Sequence, residues 1–127
     1  MMDQHSTDFL TAEECAEVDR ALLTSHDKFA ARVTIYALRS LKQISQATGI
    51  KIEHLQPNQI EDWIYQDQRL QASFDREFTA FFSQLVIASR NPLKRTAADL
   101  TVEIQDLTVP QVVAWFENEA KQRLGKS

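Results

Sequence analysis

The chain has 127 residues, 43% hydrophobic and 25% charged, a net charge of −4, two glycines, three prolines and one cysteine. That length suffices for one domain with its own core; scarce Gly and Pro disfavour a turn-rich β-fold; one thiol excludes an intramolecular disulfide and a multi-thiolate metal site. The acidic balance disfavours a general nucleic-acid binder, no apolar run approaches the ~20 residues of a membrane helix, and the first residues lack the basic start and apolar core of a signal peptide, so a cytoplasmic location is expected.

Residues 1–9 are polar and read as a loose tail. Thr11-Ala12-Glu13-Glu14 is a capping-box pattern, with Leu10 before it and Cys15, Val18 and Leu22 after it at helical spacing, which predicts a helix over 12–24. Ser25 or Asp27 caps the next helix, where Phe29, Val33, Tyr36, Ala37, Leu41 and Ile44 form an amphipathic stripe. Ile35 and Leu38 widen it, so this helix is expected to be central and to end at Thr48-Gly49. Residues 1–27 hold seven acids and one base, while 28–51 hold five bases and no acid. These bands predict an antiparallel hairpin of mutually attracting helices.

The stretch from Ile50 to Ile64 is echoed from Val102 to Phe116. Ile52/Ile104, Leu55/Leu107, Gln59/Gln111 and Trp63/Trp115 are identical at an offset of 52. The alternation in Ile50-Lys51-Ile52 and Val102-Glu103-Ile104 predicts a minimal two-stranded link. Pro57 sits in the first turn of a helix over about 57–70. Phe74, Phe78, Phe81, Phe82 and Leu85 form the next stripe, capped by Ser73 or Asp75 and ended by Asn91-Pro92. A short helix over 93–100 follows. Thr108 to Gln111 begins the last one, with Gly125 as its stop. The fold expected is all-α: about five helices in one compact domain, with repeats near 19–70 and 71–122.

No pattern identifies a reaction. His5, His26 and His54 lack the spacing that places two ligands on one helical face, and Glu13, Glu14 and Glu17 fit a helix N-terminus better than a cation cage. Cys15 lies on an apolar face and reads as a core residue. Ser25-His26-Asp27 are consecutive and unable to converge as a relay. The terminal Gly125-Lys126-Ser127 lacks the upstream glycine of a phosphate-binding loop. No catalytic residue, cofactor or metal is therefore expected.

Two surfaces are candidates. Trp63 with Tyr65, and Trp115 with Phe116, set large residues on more than one side of their helices and read as partner-binding anchors, although tryptophan at a core position is the commoner case. Arg90, Lys94 and Arg95 form a compact basic patch, the basis of an alternative nucleic-acid-binding reading. Against that reading, the Phe74–Leu85 helix has Asp75 and Glu77 where a recognition helix approaches DNA. The sequence thus points to a non-catalytic protein-binding module, an assembly factor, adaptor or small regulatory subunit, that also self-associates. A small-ligand site of unrecognised type is the further alternative.

Overall fold

The computed structural model describes residues 9–125. In chain order it comprises α1 (Ala12–Arg20), α2 (Ser25–Thr48), a 3-10 turn (Ile52–His54), α3 (Pro57–Tyr65), α4 (Gln68–Ser73), α5 (Arg76–Ala88), α6 (Arg90–Leu100), a second 3-10 turn (Ile104–Asp106) and α7 (Val109–Gly125). The fold is an all-α bundle around α2. Ile35, Tyr36, Ala37, Leu38, Leu41 and Ile44 are all buried, and α1, α3, α5, α6 and α7 all pack on α2. Burial of that extent needs both flanks of the helix, which the wide apolar girth requires.

The capping chemistry decides the boundaries. The Thr11 hydroxyl accepts from the Glu14 amide at 3.1 Å, and the Glu14 carboxylate accepts from the Thr11 amide at 2.9 Å. That box opens α1, but α1 stops at Arg20, four residues short of expectation. Thr24, not Ser25 or Asp27, takes the next cap by accepting from the Asp27 amide. A cap residue must be extended rather than helical, so a second cap so close to Arg20 forces the chain out of helix. Leu22, expected on the α1 stripe, is left 84% exposed in that link. The same effect divides the predicted 57–70 helix: Asp67 accepts from the Arg69 amide and opens α4. Asp75 caps α5. Asn91-Pro92 does not end a helix, because α5 stops at Ala88 and Pro92 falls in the first turn of α6, where its missing N–H costs nothing.

The opposed charge bands meet. Arg39 on α2 holds both carboxylate oxygens of Glu14 at 3.1 and 3.2 Å, Arg32 reaches Asp19 at 3.3 Å, and Lys28 donates to the Asp19 carbonyl. Arg39 also donates to the carbonyl of Phe9. Phe9 is no part of a loose tail: it is 1% exposed, with its ring against Phe82 (5.0 Å between centroids), Tyr36 (5.7 Å) and Phe74 (6.5 Å). Residues 1–8, and the tail reading for them, lie outside the described residues, as does His5. Cys15 is half-buried, and burial, with Asp19 beside it, pushes its thiol up from the ordinary value.

The predicted strand link is absent among the described residues. Ile52–His54 and Ile104–Asp106 are 3-10 turns that pack on each other. Three-residue alternation is too short to distinguish a strand from a tight turn, and the buried Ile52 and Leu55, like Ile104 and Leu107, sit three apart, the period of a 3-10 turn.

Local structure recurs at the 52-residue offset. Both 3-10 turns do so, as do the helix starts at Pro57 and Val109. Gln59 and Gln111 each accept a backbone N–H back at the cap, from Gln56 and from Thr108. The helix before each turn closes on a left-handed residue, Gly49 (φ 75°) and Thr101 (φ 57°). The counterpart of the unbroken α2 is thus α5 plus α6, interrupted at Ser89. The short helices also cross over. α3 packs on α5 and α7 on α2, and Leu55 and Leu107 each give their carbonyl to a base from the other half, Arg90 and Lys42 respectively.

Candidate functional site

The α5 stripe is wider than the core can accept. Phe82 is fully buried and Phe74 half-buried, but Phe78 is 37% and Phe81 56% exposed. Five apolar positions within twelve residues span more arc than one helix neighbour covers, so an amphipathic count assigns Phe78 and Phe81 to the core while packing leaves them out. Their exposure is the signal that sequence reasoning missed.

Phe81 stands at the mouth of an apolar groove. Phe29 and Val33 on α2, Phe81 and Leu85 on α5, Pro92 on α6 and Phe116 on α7 enclose about 410 Å³. Its polar lining is largely satisfied within its own helices. Thr34 donates to the Ala30 carbonyl at 2.9 Å and Ser89 to the Leu85 carbonyl at 2.8 Å. Among the described residues, His26 is the only titratable side chain on the wall. The groove has the chemistry to bury apolar groups.

The two candidate surfaces come together in part. Phe116 lines the groove, and Trp115 packs edge-on against it at 5.2 Å. Trp115 is half-buried; its indole N–H donates to Asp99 at 3.0 Å, and the Arg95 guanidinium lies 5.3 Å over its ring. Arg95 also approaches Glu119 at 3.6 Å. Trp63 lies elsewhere, half-buried in a polar hollow with Arg39, Gln43, Asp67 and Arg69. Tyr65 is half-buried and gives its carbonyl to Gln71. The basic residues separate: Arg90 turns inward to the Ile87 and Leu55 carbonyls, Arg95 covers Trp115, and Lys94 is exposed.

Around the Trp63 hollow the groups are engaged with one another. The Tyr36 hydroxyl donates to Asp67 at 2.6 Å. Burial, and then this bond to a carboxylate, hold the Tyr36 phenol well above its usual range. Among the described residues no three His, Cys, Asp or Glu side chains gather to hold a metal ion, and no helix is long and apolar enough to cross a membrane.

A family model matches residues 10–123 of the chain; its description is NDH complex assembly factor CRR9. The match begins at Leu10, beside the buried Phe9, and runs through α1 to α6 into the last turn of α7. No curated protein and no solved structure matches the chain.

Proposed function

The chain belongs to the CRR9 family of NDH complex assembly factors, and from that premise we propose that it binds an incompletely assembled part of the NDH complex by protein–protein contact, without catalysing a reaction. The observation that carries this reading is the exposed Phe81 beside the open apolar groove. An aromatic ring left half in water at the rim of an apolar concavity is the usual form of a partner anchor. Trp115 and Phe116 extend the same surface across α7, with Arg95 as its polar edge. Trp63 and Tyr65 form a separate, more polar surface of secondary importance.

Self-association has its own supporting observation. Leu22 in the link after α1 is 84% and Leu124 on α7 77% exposed, and both line a second concavity, where a second copy is the natural cover. We also read the recurrence near 19–70 and 71–122 as a tandem duplication of one helix–turn–helix unit.

The test is genetic and biochemical together. A host lacking this protein is expected to accumulate less assembled NDH complex on native gels. A Phe81→Ser variant with wild-type helicity and melting temperature is expected to restore assembly poorly, while Gln84→Ala on the exposed side of α5 restores it fully. Normal complex levels in the deletion strain would remove the assembly reading. Full rescue by Phe81→Ser would remove the groove from it.

A further inference from the structure

The 52-residue correspondence says what the groove is shaped to hold. In the other half of the bundle the matching place is already filled. The Phe9 ring touches Tyr36 on α2 and Phe82 on α5. Displaced by 52, those positions are Ala88 and Ala30, and both line the open groove. Two large aromatics at the filled site, one from each repeat, are two methyl groups at the groove, and no Phe9 equivalent is seated there among the described residues. The vacancy therefore follows from side-chain size at corresponding positions.

The filled site also shows how a segment that leads into a helix is gripped. Arg39 donates to the Phe9 carbonyl and pairs with Glu14, and Arg69 donates to the Leu10 carbonyl. In the open half, the counterpart of Arg39 is Asn91, exposed beside Pro92, and that of Gln43 is Arg95. A neutral donor thus replaces the guanidinium, and the positive charge moves one helical turn along. Arg95 lies over the Trp115 ring and approaches Glu119 at 3.6 Å, with its side chain 66% exposed; stacking through its face leaves the guanidinium edge open to a second carboxylate.

We propose that the groove binds a segment of the client polypeptide that leads into a helix, carrying an aromatic residue followed by an aliphatic one and an acid in the helix's first turn, in the manner of this chain's own Phe9-Leu10 and Glu14. The aromatic ring enters between Ala30 and Ala88, the segment's carbonyl meets Asn91, and its acid meets Arg95. This rests on the assembly-factor reading and specifies the chemistry of the partner.

The probe is a fluorescein-labelled nonapeptide of residues 9–17 with Cys15→Ser, titrated into the full chain and read by anisotropy. Saturable binding is expected. Replacing the peptide's phenylalanine by alanine is expected to weaken it roughly 10- to 100-fold, the effect of losing one buried aromatic ring. Two variants, Ala30→Phe and Ala88→Tyr, install the residues that stand at the matching places and are expected to abolish binding while keeping the melting temperature. Ala88→Tyr, at an exposed position, serves where the first variant fails to fold. No saturable binding, or binding unchanged by both fillings because the peptide exchanges with Phe9 itself, overturns the proposal. So does a dimer in native mass spectrometry that the fillings abolish, since a second copy would then be the occupant. In the deletion host, a filled-groove variant that restores assembly fully sinks this proposal alone, whereas normal assembly without the protein sinks the reading beneath it.

Discussion

Phe9→Ala tests whether the segment before α1 is part of the core. The ring is 1% exposed and lies within 5.0–6.5 Å of three others. Truncating a buried phenylalanine costs about 3–5 kcal/mol, the loss of transfer free energy plus a cavity that the neighbours close only in part. Here Tyr36 and Phe82 are held by long helices, so collapse is limited and the upper half of that range is expected. For a chain of this size, about 3–5 °C is lost per kcal/mol, which places the fall in Tm at roughly 12–25 °C. Phe9→Leu keeps most of the volume and is expected to cost about 1 kcal/mol. Urea unfolding followed by circular dichroism and by tryptophan fluorescence measures both variants. A loss below about 1 kcal/mol for Phe9→Ala would show a segment that detaches independently of the bundle, and the filled-site comparison drawn above would lose its basis.

Tyr36 makes stability fall at high pH. Its folded-state value lies above the unfolded one, so below pH ~10 its contribution is complete, and as pH rises further the unfolded chain releases a proton that the native state keeps. Stability then falls by about 1.4 kcal/mol per pH unit for this one proton. Tyr36→Phe is expected to flatten that alkaline slope by one proton and to cost about 1–2 kcal/mol at pH 7 through the lost bond to Asp67; identical slopes in a pH series of urea melts would refute it. Gly49→Ala and Thr101→Gly are expected to act in opposite directions, because both positions are left-handed. Nothing obstructs a methyl group at Gly49, so backbone strain alone costs about 1 kcal/mol there, while Thr101→Gly relieves similar strain and stabilises by up to about 1 kcal/mol. Paired thermal melts decide. Arg39→Met keeps the aliphatic stem and removes the grip on Phe9 and Glu14; a cost of about 2–3 kcal/mol is expected, and a neutral result in urea melts would show those bonds to be replaced by water.

The sequence was informative where one local rule acts without competition. The Thr11–Glu14 box, Pro57 in a first turn, Gly49 as a stop and the α2 stripe all depend on residues within a turn or two of each other, and each took the expected form. Where two local signals compete, tertiary packing arbitrates. Thr24 and Asp67 are ordinary polar residues until the chain must turn; the cap at Thr24 goes with an α1 that ends four residues early, and the cap at Asp67 divides the helix expected over 57–70. Asn91-Pro92 reads as a terminator but equally suits a first turn, and it falls in the first turn of α6, which starts at Arg90. The candidate site shows the same division. Trp115, Phe116 and Arg95 were legible as large or charged residues at a helix border, yet their convergence depends on α6 packing against α7.

By itself, then, the sequence determined the helical class, the central helix, the caps that depend on neighbouring residues, and the 52-residue recurrence, since all of these are encoded in spacing along one chain. Only the tertiary structure decided that Phe9 is core and Phe81 is surface. Both are phenylalanines next to apolar neighbours, and what separates them is whether another helix arrives to cover the ring. Coverage belongs to the packing of distant segments, and the groove exists where Ala30 and Ala88 left that packing incomplete.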